Sequence, residues 1–197
     1  MAIQVISLNC PNCNAPVNTG QEKCASCRQP ILITSFSNLF DMPMSSINKY
    51  TGRYREVLSQ NPENKELNNA IAMCYLKLRL YDKAIVSFEK AMEDNFNNSE
   101  TFFYASVCLL QGKKAFLAQR VVIDKIEEYI QAALRIEPKG IYYYFWAYIK
   151  YDYFTRKYFR TIPTYEDTVV KAQSAGVSPN DIEQLFTILN ISKPDTL

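Results

Sequence analysis

Four of the six cysteines of this chain lie between positions 10 and 27, as two Cys-X-X-Cys pairs. The pairs are Cys10 with Cys13 and Cys24 with Cys27, and a gap of two residues lets a tight turn aim both sulfurs at one point. Two such turns face to face supply four thiolates, a donor set that favours zinc or an iron–sulfur centre. A lobe this small buries too little surface to fold unaided, so we expect a metal to hold it together.

The alternatives to a metal site are disulfides or a redox pair, and the cellular compartment helps to choose among them. The first residues lack the basic and apolar regions of a signal peptide, and no run approaches the ~20 apolar residues needed to cross a bilayer. We therefore predict a cytoplasmic protein with no membrane partner, where thiols stay reduced. A thioredoxin-like redox site would need a βαβ pattern, which does not follow. The prediction is one structural Zn²⁺, because four thiolates leave no open position for water.

The cysteine region resembles the zinc ribbons found at the N-termini of many small bacterial proteins. Those read Cys-Pro-X-Cys-Gly twice, and here Asn14 and Arg28 occupy the glycine positions. Asparagine adopts the left-handed conformation of such a turn more readily than arginine does. Short apolar elements follow each pair, as the strands of a ribbon would. The resemblance implies a small β zinc-ribbon lobe over residues 1–33.

Residues 34–46 lack helical periodicity and contain Pro43, so we expect a linker. It would dock through its apolar side chains, which are Phe36, Leu39, Phe40, Met42 and Met44. Ser45-Ser46 is the predicted N-cap, and after it the sequence is typical of helices to its end.

A shift of 34 residues aligns Cys74 with Cys108 and Ala84 with Ala118, and matches other apolar positions in kind. That is the tetratricopeptide (TPR) period, and residues 64–96 resemble one TPR repeat. The looser copies are residues 47–62, 99–138 with a late second helix, and 140–175. A helix capped by Ser178 and opened by Pro179 would cover the exposed end of the stack.

The resemblance implies a mainly α fold, a TPR-like α-solenoid of antiparallel helix pairs over residues 47–197. The first helix of each pair would line a concave groove. By the repeat alignment, the groove residues are Asn69, Met73, Leu76, Lys77, Phe103, Tyr104, Val107, Leu110, Tyr144, Tyr148 and Tyr151. The groove is apolar and aromatic, and the cations with which TPR proteins grip chaperone tails are mostly missing. It suits an extended or helical segment of another protein.

No catalytic constellation is present in the sequence. The chain has no histidine and five isolated glycines, so the commonest general base and a phosphate-binding loop are both missing. The net charge of +2 is too small to predict nucleic acid as the main partner. We predict a non-enzymatic adaptor or scaffold in a bacterial multi-protein assembly, of chaperone, stress or conflict type. The alternative is a nucleic-acid-binding regulator that uses the ribbon and the basic region 113–160.

Overall fold

The computed structural model describes residues 5–35, 37–40, 42–93 and 96–197. The chain divides into two compact units, residues 1–95 and 96–197. Phe36, one of the predicted docking residues of the linker, lies outside the described residues. The predicted division into a zinc ribbon (1–33), a linker (34–46) and a TPR-like helical repeat domain (47–197) stays a prediction.

The first unit begins with a two-stranded antiparallel sheet. Strand β1 (Ser7–Asn9) pairs with β2 (Pro16–Asn18), and Leu8 lies opposite Val17. An isolated bridge between Lys23 and Pro30 closes the second half of the lobe. Such short strands do not make a stable sheet by themselves, so other interactions must hold this lobe.

The described residues of the first unit also form helices α1 (Ser37–Phe40), α2 (Met44–Leu58), α3 (Lys65–Lys77) and α4 (Tyr81–Met92). Helix α3 packs against α1, α2 and α4, and ten consecutive residues from Leu67 to Leu76 are buried. Asn64 caps α3 by accepting a hydrogen bond from the N–H of Leu67 at 2.9 Å. The α3–α4 hairpin is the pair in which the TPR resemblance is strongest.

The predicted start of the helical region is wrong by a few residues. Helix α2 begins at Met44 with Pro43 as its cap residue, so Ser45 and Ser46 lie inside its first turn. Proline fits there because the first N–H groups of a helix have no partner within the helix. The linker also contains α1, whose Leu39 is fully buried, whereas Met44 is 49% exposed. The apolar residues of the linker therefore dock in part.

The second unit is built from helices α5 (Ser99–Cys108), α6 (Arg120–Ile136), α7 (Gly140–Ile149), α8 (Tyr165–Ser174) and α9 (Pro179–Leu189). A 3-10 turn, Ala115–Leu117, lies between α5 and α6 and accounts for the late second helix of this pair. Helix α7 continues as a π-helical segment, Lys150–Phe154, and a 3-10 turn, Thr155–Lys157. The predicted start of α9 is confirmed: Ser178 forms a capping box with Asp181, and Pro179 follows it.

The π-helical segment carries two buried charges. Lys150 is 4% exposed and lies 2.7 Å from a carboxylate oxygen of Glu127. Asp152 is 2% exposed and accepts hydrogen bonds from the Phe116 N–H at 2.8 Å and from the Tyr148 hydroxyl at 3.3 Å. Because buried charges are tolerated only when they are paired and hydrogen-bonded, this network fixes the end of α7.

The two cysteines outside the N-terminal cluster, Cys74 and Cys108, are fully buried in α3 and α5. Burial raises the pKa of Cys74 to about 12, so this thiol stays protonated at neutral pH. Both behave as packing residues.

Gly140, the first residue of α7, allows a test of how closely this helix packs on the backbone of residues 172–177. A Cβ atom at this position would lie 2.5 Å from the Val177 backbone nitrogen and 2.8 Å from the Ala172 carbonyl oxygen. We expect Gly140→Ala to lower the free energy of unfolding by about 1–3 kcal/mol, because backbone atoms must move.

The matched control is Gly52→Ala in α2, where an added Cβ atom meets nothing within 4 Å. This change should raise the free energy of unfolding by about 0.5–1 kcal/mol, because alanine loses less conformational entropy in a helix. Urea titrations of both variants measure the difference. Equal effects of the two substitutions would contradict the close approach at Gly140.

Candidate functional site

The two Cys-X-X-Cys turns have the same backbone hydrogen bonds. In the first turn, the Asn14 N–H donates to the Cys10 carbonyl at 2.9 Å, and in the second the Arg28 N–H donates to the Cys24 carbonyl at 2.8 Å. The N–H of each leading cysteine then donates to the carbonyl five positions further on, at 2.8 and 2.9 Å. The two turns, or knuckles, therefore share one backbone structure. Each knuckle directs its pair of sulfurs to the same site.

The residue after each second cysteine has a left-handed backbone. Asn14 has a φ angle of 65° and Arg28 of 60°. These are the positions at which the ribbon resemblance leads us to expect glycine. For arginine this conformation costs about 1–2 kcal/mol relative to a right-handed one. In each turn, the N–H of this left-handed residue donates to the carbonyl of the first cysteine, and that hydrogen bond closes the turn.

The four sulfurs have the spacing of a tetrahedral metal site. The Cys10 and Cys27 Sγ atoms lie 3.6 Å apart, as do those of Cys13 and Cys24. All four lie within 4.8 Å of one another. A tetrahedron with Zn–S bonds of about 2.3 Å has sulfur–sulfur edges of about 3.8 Å. The spacing is far too long for disulfides, and all four cysteines are free.

Backbone N–H groups favour the thiolate form of the second knuckle. The N–H of Gln29 is the main cause that lowers the pKa of Cys27 to about 6. The N–H of Cys27 is the main cause that lowers the pKa of Cys24. A metal ligand must be deprotonated, so these donors ease metal binding at neutral pH. The donor type and the sulfur spacing are both compatible with a metal site.

Two tyrosines of α2 hold the cysteine lobe, residues 5–33, on the helices of the first unit. The Tyr50 hydroxyl donates to the Pro30 carbonyl and the Tyr54 hydroxyl to the Ile31 carbonyl, both at 2.7 Å. Tyr54 also accepts from the Ile33 N–H at 3.2 Å. Ile31 and Ile33 are fully buried. The lobe is therefore continuous with the core of the first unit, which sequence periodicity does not reveal.

The predicted groove residues are mostly buried. Eight of the eleven are buried: Asn69, Met73, Leu76, Phe103, Val107, Leu110, Tyr144 and Tyr148. Lys77, Tyr104 and Tyr151 keep partial exposure. In the first unit the reason is that α3 is surrounded by α1, α2 and α4. Lys77 contacts the linker, since its ammonium donates to the Phe40 carbonyl at 2.8 Å.

In the second unit, residues 179–197 pack against some of the predicted groove residues. Helix α9 packs on α5 and α7, the first helices of their pairs, rather than only on the end of the stack. The Phe186 ring lies edge-on to the rings of Tyr144 and Tyr148, at centroid distances of 6.5 and 5.5 Å. The Tyr144 hydroxyl donates to the Leu197 carbonyl at 2.8 Å. We call residues 179–197 the covering segment.

The predicted basic region 113–160 is partly neutralised. Lys150 is paired with Glu127, and Arg120 lies 2.7 Å from Asp124. Arg156 is paired with the buried carboxylate of Asp152. The cations are therefore divided between internal pairs and a smaller exposed set.

The stretch 155–163 exposes apolar side chains that the sequence analysis does not predict. Tyr158 and Ile162 are each 95% exposed, and Phe159 is 50% exposed. The signal in the sequence is a set of large apolar residues in a stretch without helical or strand period. Such residues have no buried face to occupy.

Comparison with known proteins shows the fold. No family model matches the chain, and neither does any curated protein. Six solved chains match, among them "MamA MSR-1 C2", from a TPR-containing protein. That structure is 16% identical with a TM-score of 0.50, over 71% of this chain and 82% of the other. The fold is mainly α, a TPR-like α-solenoid, and the predicted fold class is confirmed.

Within the described part of the chain, no helix is both long and apolar enough to pass through a lipid bilayer.

Removing one sulfur tests the metal centre. We expect Cys13→Ser to lower the affinity for a soft divalent metal by more than the roughly 10–100-fold that outer-shell substitutions cause, because one of four ligands is lost. The control is Ser26→Ala, which changes the same lobe without touching a ligand. Metal-to-protein ratios after equilibration with a competing chelator measure the loss. Equal ratios in the two variants would contradict a four-sulfur site.

Proposed function

We propose that this chain is a non-enzymatic adaptor of the cytoplasm, in which a zinc-held lobe and TPR-like helices hold protein partners in a multi-protein assembly. The observation that carries the proposal is the closed set of four sulfurs on a helical-hairpin fold. Four thiolates complete the tetrahedral shell of Zn²⁺, so the ion has no free position at which to activate water. The ion would then stabilise the lobe and take no part in a reaction.

The choice of zinc follows from the ligands and the size of the site. Thiolates are soft, and four of them in a tetrahedral arrangement suit zinc or an iron–sulfur centre. The largest separation of the four sulfurs, 4.8 Å, leaves room for one ion and its bonds. One Zn²⁺ held by Cys10, Cys13, Cys24 and Cys27 is therefore the proposed cofactor, with a structural role.

The partner-binding part of the proposal is narrower than the sequence expectation. In this structure, a partner can reach only side chains that keep exposure, which among the predicted groove residues are Lys77, Tyr104 and Tyr151. Tyr151 already accepts a hydrogen bond from the Thr196 hydroxyl at 2.9 Å. A partner that used the buried groove tyrosines would have to displace the covering segment first.

A second candidate function is binding of single-stranded nucleic acid. The observation that favours it is the exposure of Tyr158 and Phe159 beside Arg160, because exposed rings next to cations stack on bases. The ribbon contributes little to this candidate, since its charges are Glu22, Lys23 and Arg28. Binding of this kind would weaken steeply with added salt.

Purification from the native host under anaerobic conditions tests the proposal. We expect one zinc per chain and a protein complex that survives nuclease treatment. Elemental analysis separates zinc from iron, and an iron–sulfur centre would also absorb visible light. Iron in place of zinc would contradict the proposed cofactor. Loss of every protein partner on nuclease treatment would favour the second candidate.

A further inference from the structure

A basic apolar patch lies on the second unit, and it is built from two neighbouring stretches. Its apolar members are Leu117, Val121, Tyr158, Phe159 and Ile162, which are between 50% and 95% exposed. Its cations are Lys114, Arg120, Arg156, Lys157 and Arg160. Large apolar side chains exposed together on a folded protein mark a site that another molecule covers.

Direct contacts join the two stretches. The Arg156 guanidinium lies 4.6 Å from the centre of the Phe116 ring, and the Lys157 ammonium lies 5.1 Å from it. On the other side, the Arg120 guanidinium lies 5.0 Å from the centre of the Phe154 ring. The segments 116–120 and 154–157 therefore lie side by side. The exposed side chains that flank these contacts make up the patch.

The loop is held in its shape from below. The Lys150 ammonium donates to the Thr161 hydroxyl at 2.6 Å, and the Phe159 N–H donates to the Phe154 carbonyl at 2.9 Å. The Phe159 ring also lies 6.2 Å from the ring of Tyr153. The buried pair of Lys150 and Glu127 thus supports a loop whose apolar side chains point outward. A surface fixed before binding loses less entropy when a partner arrives.

The charges of the patch indicate the chemistry of its partner. Arg120 and Arg156 already have carboxylates, Asp124 and Asp152. Among the described residues, no carboxylate is paired with Lys114, Lys157 or Arg160. The patch therefore presents unpaired positive charge around an apolar centre, and acidic groups around an apolar ridge complement it.

We propose that the basic apolar patch binds an acidic amphipathic segment of a partner protein, with apolar side chains on its centre and Asp or Glu on its cations. The inference rests on the proposed adaptor function and names the partner class. Three of the five apolar members are aliphatic, and aliphatic groups do not stack on bases as rings do. The Asp124 carboxylate, exposed at the edge, disfavours an anionic lipid surface.

The test uses the full chain and four fluorescent probes. One is a helical peptide with Leu and Phe on one face and Glu on the other, and the second is its scrambled sequence. The others are oligouridylate and vesicles of phosphatidylglycerol with phosphatidylcholine. We expect the acidic peptide to bind best, and added salt to weaken its binding.

Substitutions locate the binding. The double variant Tyr158→Ser with Ile162→Ser should weaken peptide binding by roughly 10-fold or more, because both side chains are removed from the centre of the patch. Arg160→Glu should weaken it by roughly 5-fold through like charge. The matched control, Val86→Ser with Val170→Ser, changes two exposed apolar residues elsewhere and should leave the affinity unchanged. Melting temperatures confirm that all variants fold.

Three results would overturn the inference. They are equal binding of the scrambled peptide, tighter binding of oligouridylate or vesicles, and no binding of the acidic peptide. A nuclease-resistant native complex retained by the double variant would also reject the patch, while the adaptor function would stand. If the unaltered chain holds no protein complex at all, the adaptor function itself fails.

Discussion

The convergence of four sulfurs within 4.8 Å of one another is the constraint on which the first unit depends. Four sulfurs this close would repel one another as thiolates, and two strands of three residues could not offset that repulsion. A bound divalent soft cation would remove the repulsion and supply four metal–sulfur bonds. The knuckle hydrogen bonds and the left-handed Arg28 then follow, because both turns must present their sulfurs to the same point. The cysteine lobe gives Tyr50 and Tyr54 the carbonyl groups to which they donate.

The sequence predicts this site well because its chemistry is local. Residue type and a spacing of two are enough to aim each pair of sulfurs, and the sulfurs meet as expected. The repeat period predicts the hairpin of α3 and α4 for the same reason, since each helix is encoded by its own residues. The start of α2 was missed because Pro43 is the N-cap residue of this helix. In a sequence, proline more often indicates the end of a helix.

The sequence predicts less about the partner surface, because exposure depends on distant parts of the chain. The period of the repeats assigns Tyr144 and Tyr148 to the first helix of a pair, which is correct. It does not say that Phe186 will lie against both rings, which only the packing of α9 on α7 determines. The same applies to Lys77, whose contact with Phe40 joins residues that are far apart in sequence. Periodicity identifies a helix face but not what covers it.

The buried charges at the end of α7 connect packing to the exposed surface. Lys150 and Asp152 are two residues apart, and the wider π-helical turn lets each reach a different neighbour. An α-helix of apolar residues alone would bury the same area without these polar groups, and often with equal stability. What these two charged residues contribute is the position of neighbouring segments. Lys150 donates a hydrogen bond to Thr161, and Asp152 accepts one from the backbone of Phe116. Each stretch that bears the basic apolar patch is thereby fixed by a buried charge, so the geometry of the patch depends on the core as well as on the surface residues.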